Sequence, residues 1–254
     1  MQPRSHSLSF AAVDTLSQVL GIDVRLFPFE IPSFGALLED RERIAKAVLT
    51  DLTNRGLIRN NRIDPDVETA LRISAEYDVG IGVMGTVEKD RSIRARGAAR
   101  GNVGVVAVQE GQTIRFDVVG AAGVARGLVD LLPRLGAGPG QSVQIAEPVQ
   151  PAAGGGFVQA VRAPRSGSDA QLRLAAAMME RPRTGYGFFA VSGRGRHGRE
   201  ISAGTLAWID TDAGRYLSLT RPQADGAIRA TYSPADSGRL MRQLDELIGS
   251  VLPR

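Results

Sequence analysis

The chain has 254 residues, of which 43% are hydrophobic and 23% charged, so it is long enough to bury a sizeable core. It has no cysteine and only two histidines, which excludes disulfide frameworks, thiolate metal ligation, cysteine nucleophiles and multi-histidine zinc centres. The formal charge of +4 is carried almost wholly by arginine, since Lys46 and Lys89 are the only lysines, and over this length it is a weak nucleic-acid signal.

In chain order, Leu8-Ser9-Phe10 reads as a short strand and residues 11–20 as a short helix stopped by Gly21. Pro28 and Pro32 hold residues 27–32 extended, because each proline removes a donor and pushes its predecessor out of the helical region. Leu37, Leu38, Ile44, Val48, Leu49 and Leu52 then approximate a 3.6-residue stripe, with Gly56 placed as a C-cap. Asp64-Pro65-Asp66-Val67-Glu68 combines an N-cap, proline at the first helical position and early carboxylates, opening a helix through Val67, Leu71 and Ile73. Residues 79–87 alternate as a strand, and the polar, glycine-bearing residues 88–102 read either as a second strand edge or as a long exposed loop.

A hairpin-helix unit follows. Val105-Val106-Ala107-Val108 turns at Glu110-Gly111 into Ile114-Arg115-Phe116, then into a helix bearing Val124, Leu128, Leu131 and Leu132. Residues 135–140 and 148–156 concentrate Gly, Pro and Ala and mark a join. Ser168-Asp169 caps a helix through Leu172, Leu174, Ala176 and Met179; residues 186–192 are a strand, 193–200 a basic loop, and 205–209 another strand. Asp210-Thr211-Asp212-Ala213-Gly214 reads as a solvated turn. A second hairpin-helix unit closes the chain: Tyr216-Leu217-Ser218-Leu219, a turn at Asp225-Gly226, Ile228-Arg229-Ala230, and a helix bearing Leu240, Leu244, Leu247 and Ile248. Two such units are too few for a solenoid, so they predict one pseudo-symmetric domain over 1–254, with halves of about 1–150 and 151–254.

Two segments match the dinucleotide-binding glycine pattern, Gly80-Ile81-Gly82-Val83-Met84-Gly85 and Gly193-Arg194-Gly195-Arg196-His197-Gly198. That chemistry needs a strand before the glycines and a helix N-terminus after them, and neither context holds. Gly136-Ala137-Gly138-Pro139-Gly140-Gln141-Ser142 lacks the lysine of a phosphate loop and follows a helix. Asp210 and Asp212 lack the later ligands of a calcium loop. No catalytic, cofactor or metal residue is assigned, and the protein is expected not to be an enzyme. Without an apolar leader in residues 1–9 or a run of ~20 apolar residues, it is expected in the cytoplasm, with no membrane insertion.

A partner surface is placed instead on Met178, Met179 and Phe188, with Arg194, Arg196 and Arg199 as its polar rim, because adaptable apolar groups edged by charge are the usual anatomy of a protein interface. Core packing is the alternative for the methionines, and a basic nucleic-acid-binding regulator is the alternative for the whole chain.

The order and spacing of several segments resemble one family. They are the prolines at 28 and 32, Leu52-Thr53-Asn54-Arg55-Gly56-Leu57, Asp64-Pro65-Asp66-Val67-Glu68 and Val106-Ala107-Val108-Gln109-Glu110-Gly111. Further on come Leu131-Leu132-Pro133, Gly138-Pro139-Gly140-Gln141-Ser142-Val143 and Asp210-Thr211-Asp212-Ala213-Gly214-Arg215-Tyr216. In these the chain is similar, nearly end to end, to the EspG chaperones of type VII (ESX) secretion. The resemblance implies an α/β fold of the α+β type: a central, largely antiparallel sheet, flanking helical bundles and an approximate internal two-fold. It also implies a cytosolic chaperone that binds the PPE tip of PE–PPE-like heterodimers and keeps them soluble before export, itself a monomer or weak dimer. No contact residue transfers by position, since the family presents a sheet face and a C-terminal helical bundle rather than a short motif.

Overall fold

The structure, a computed structural model, describes residues 4–88, 91–147, 169–195, 199–222 and 228–252. The chain forms two compact units, residues 1–82 with 94–128 and residues 83–93 with 129–254.

The first unit opens with β1 (Arg4–Ser9) and α1 (Phe10–Leu20). Ser9 caps α1 by accepting from the Ala12 N–H at 3.1 Å. Gly21 ends it in the left-handed region at φ 64°, with Gly21 N–H bonded to the Gln18 carbonyl and Ile22 N–H to that of Ser17. Asp14 is buried on α1 and accepts from Arg25, and from Gln18 Nε2 and the Phe34 N–H at 3.4 Å, which ties the extended segment after the helix back onto it. The same left-handed stop closes α2 (Leu38–Asn54), where Gly56 N–H bonds Thr53 and Leu57 N–H bonds Leu52. The short hairpin β2 (Ile58–Arg59) and β3 (Arg62–Ile63) leads to α3 (Pro65–Ala75), capped by Asp64, which accepts from Asp66 N–H at 2.9 Å.

β4 (Val79–Val87) and β5 (Arg91–Arg100) begin a meander that continues through β6 (Val103–Glu110) and β7 (Thr113–Gly120) into α4 (Val124–Val129). Residues 88–102, read from sequence as a strand edge or an exposed loop, are thus mostly a strand with neighbours on both sides. Its charges are accommodated: Arg94 pairs with Glu30, Arg100 with Glu76, and Arg96 lies buried over the Tyr77 ring with Nη1 donating to the Phe27 carbonyl. α4 is shorter than its apolar spacing predicts, and a 3-10 turn at Ala121–Gly123 supplies the preceding turn. Leu8, Leu16, Leu52, Leu71, Val105, Ile114 and Phe116 sit in one core, while Val124 and Leu128 pack over Gly97.

The second unit contains β8 (Val143–Glu147), α5 (Asp169–Met179), β9 (Arg183–Arg194), β10 (Glu200–Thr211), β11 (Gly214–Pro222), β12 (Ile228–Pro234) and α6 (Ser237–Val251). α6 is capped by Asp236, which accepts from the Arg239 N–H at 2.7 Å, and its buried Leu240, Leu244, Leu247 and Val251 recur at helical spacing. It packs on β9 and β10, whereas α5 packs on β8. The predicted turn at Asp225-Gly226 and the join at 148–156 lie outside the described residues.

Ten strands form one sheet in the order β1-β7-β6-β5-β4-β9-β10-β11-β12-β8, and every pairing whose register is described is antiparallel. This is the α+β architecture expected from sequence. Edge strand β1 joins the last strand of the meander β4 to β7, and edge strand β8 joins the last strand of the meander β9 to β12, a likeness of connectivity.

Candidate partner surface

The residues singled out from sequence fall into two groups. Met178, Met179 and Phe188 are 4%, 6% and 7% exposed. The two methionines join Val143, Ala175, Ile209, Tyr216, Ala230 and Tyr232 in a core cluster, the packing role that their helical spacing also allowed. Arg194 and Arg199 are exposed at the tip of the β9–β10 hairpin, where Gly195 N–H bonds the Arg199 carbonyl at 2.9 Å; Arg196 lies outside the described residues. Of the basic loop read from sequence, Gly193 and Arg194 belong to β9 and Glu200 to β10.

Sequence reasoning missed two exposed apolar groups of the second unit. Ile201 is 47% exposed and Leu252 44% exposed. Ile201 is the cross-strand partner of Gly193, whose missing Cβ would stand 2.7 Å from Cβ of Val251, so Ile201 shares the face that meets the end of α6. An exposed isoleucine two residues after a run of arginines was the available signal, but β10 begins earlier than its apolar core suggests.

The turn at Asp210 also differs from its solvated reading. Asp210 and Arg215 are 1% and 0% exposed and opposite one another across β10 and β11. Arg215 donates from Nε and Nη2 to the two Asp210 oxygens at 2.6 and 2.9 Å, and from Nη2 to the Pro133 carbonyl at 2.9 Å. Its backbone bonds Gly136 and Gly138, and Tyr216 Oη donates to the Pro139 carbonyl at 3.0 Å. A Cβ on Gly138 would meet the Tyr216 ring at 2.3 Å. The glycine-rich segment 136–140 is therefore tied to the distant 210–216 turn by the backbone of Arg215 and the side chain of Tyr216.

The glycines of the first dinucleotide match have a packing role. A Cβ on Gly80 would lie 2.8 Å from the Tyr77 ring, on Gly82 2.5 Å from that of Phe27, and on Gly85 2.4 Å from the Tyr186 carbonyl and 2.7 Å from Trp208. Gly80 and Gly82 give up their side chains so that an aromatic ring can lie on the strand, and Gly85 so that the backbone of β9 and Trp208 can approach. In the second match, Gly193 lies within β9 and accommodates Val251.

Among the described residues, His6, Asp64 and Asp66 offer donor atoms within 4.8 Å of one another, with Asp64 engaged as the cap of α3. At Arg115, burial acts against the charge, but bonds to Glu110 and Asp117 outweigh it and raise the pKa. Among the described residues, no helix is long and apolar enough to cross a membrane.

No curated protein matches the chain in sequence. Among solved structures, it is similar to the Mycobacterium tuberculosis type VII secretion system chaperone EspG5, solved in complex with a PE25–PPE41 dimer. The TM-score is 0.66 at 15% sequence identity, covering 98% of this chain and 97% of that one. The profile of the EspG family matches residues 9–246, from the Ser9 cap of α1 to Glu246 in α6, and the chain therefore belongs to the EspG family.

Proposed function

We propose that the protein is a non-enzymatic, cytoplasmic chaperone of type VII secretion that holds a PE–PPE-like heterodimer by its PPE subunit before export. The observation that carries this reading is the family match across residues 9–246. The similar EspG5 structure, a complex with a PE–PPE dimer, supports it. The physical task is to cover an apolar patch of a few hundred Å2 that otherwise drives aggregation. Glycine motifs filled by aromatic rings and an acidic turn closed by Arg215 support a binding role over a nucleotide- or calcium-dependent one.

For the partner surface, the β9–β10 hairpin end is the part of the sequence-derived site that offers accessible groups. Ile201 and Leu252 would supply apolar contact and Arg194, Arg196 and Arg199 the rim, while Met178, Met179 and Phe188 support the sheet from within.

Co-expression with the PE–PPE-like pairs of the same genome, followed by size-exclusion chromatography with light scattering, tests the function. A stoichiometric three-chain complex is the expected result; failure to co-elute with any pair that forms a folded dimer overturns it. The surface has its own test: reversing the charge of Arg194, Arg196 and Arg199 together should weaken capture while leaving the melting curve unchanged, since exposed loop charges carry little stability. Unchanged capture by the folded variant removes the hairpin end from the site.

A further inference from the structure

We draw no further inference here: the strongest candidate, the solvent-facing side of α2 where Leu37 and Leu38 are 65% and 74% exposed and Leu49 borders a shallow cavity, carries nothing because nothing in the structure shows what covers it.

Discussion

Arg215 has no exposed surface, and its guanidinium is held by both oxygens of Asp210 and by the Pro133 carbonyl. Burying such a pair costs desolvation that its attraction only partly offsets, so its net worth is small, but removing one partner strands a charge in the interior. Arg215→Met is therefore expected to lose about 3–5 kcal/mol in urea unfolding. The double variant with Asp210→Leu should be less destabilised than the single, because no charge is left stranded. A single-variant loss below about 1 kcal/mol would show that the pair is dispensable. Two glycines separate conformational strain from crowding. Gly21 has φ 64° and open space around its missing Cβ, so Gly21→Ala should cost only the left-handed penalty of about 1–2 kcal/mol. At Gly187 the new Cβ would stand 2.3 Å from Cη2 of the buried Trp208, and Gly187→Ala should both destabilise more and shift the tryptophan emission. Equal losses at the two positions would contradict the packing role assigned to Gly187.

Helix α6 illustrates what the elements owe to local pattern. Leu244 is 0% exposed between Leu240 and Leu247, so Leu244→Ala should cost about 2–5 kcal/mol, measured by thermal or urea unfolding; a loss under about 1 kcal/mol would mean that the helix is not anchored through this stripe. Its cap at Asp236, like those at Ser9 and Asp64, uses a side chain of a type that competes for free backbone N–H groups; of these caps the sequence reading uses only Asp64, while α1 is read from its Gly21 stop and α6 from its apolar spacing. β5 could not. Arg94, Arg96 and Arg100 suggest a loop, yet their partners, Glu30, the Phe27 carbonyl and Glu76, are groups brought near only by the fold. The same holds at the site. The hairpin arginines were legible as exposed charges, whereas the exposure of Ile201 and the burial of Arg215 are tertiary facts. Arg215 did leave a trace, because it shares a two-residue alternation with the buried Leu217 and Leu219. α2 shows the converse: a helical stripe formed as expected, but Leu52 is its one fully buried member.

At the scale of the molecule, the compact units do not coincide with the halves read from sequence at about residue 150. Their boundaries fall at residues 82, 93 and 128, so that β4 and β5 each contribute residues to both units. A cut after residue 150 would leave β12 without β8, Arg215 without the Pro133 carbonyl, and Tyr216 without that of Pro139. The fragment 151–254 is accordingly expected to lack a cooperative melt, and a sharp transition with dispersed amide resonances would refute the unit as described. Because β4 and β5 each contribute residues to both units, the full chain is expected to unfold in one step. The single tryptophan, Trp208, makes this measurable. Its fluorescence reports only on the second unit, to which residue 208 belongs, while far-ultraviolet circular dichroism reports on the helices of both. Coincident urea transitions from the two probes are the expected outcome, with a slope suited to exposing the whole chain. If the tryptophan signal moves at a different urea concentration from the circular dichroism, the units unfold separately, and the sharing of β4 and β5 does not couple them.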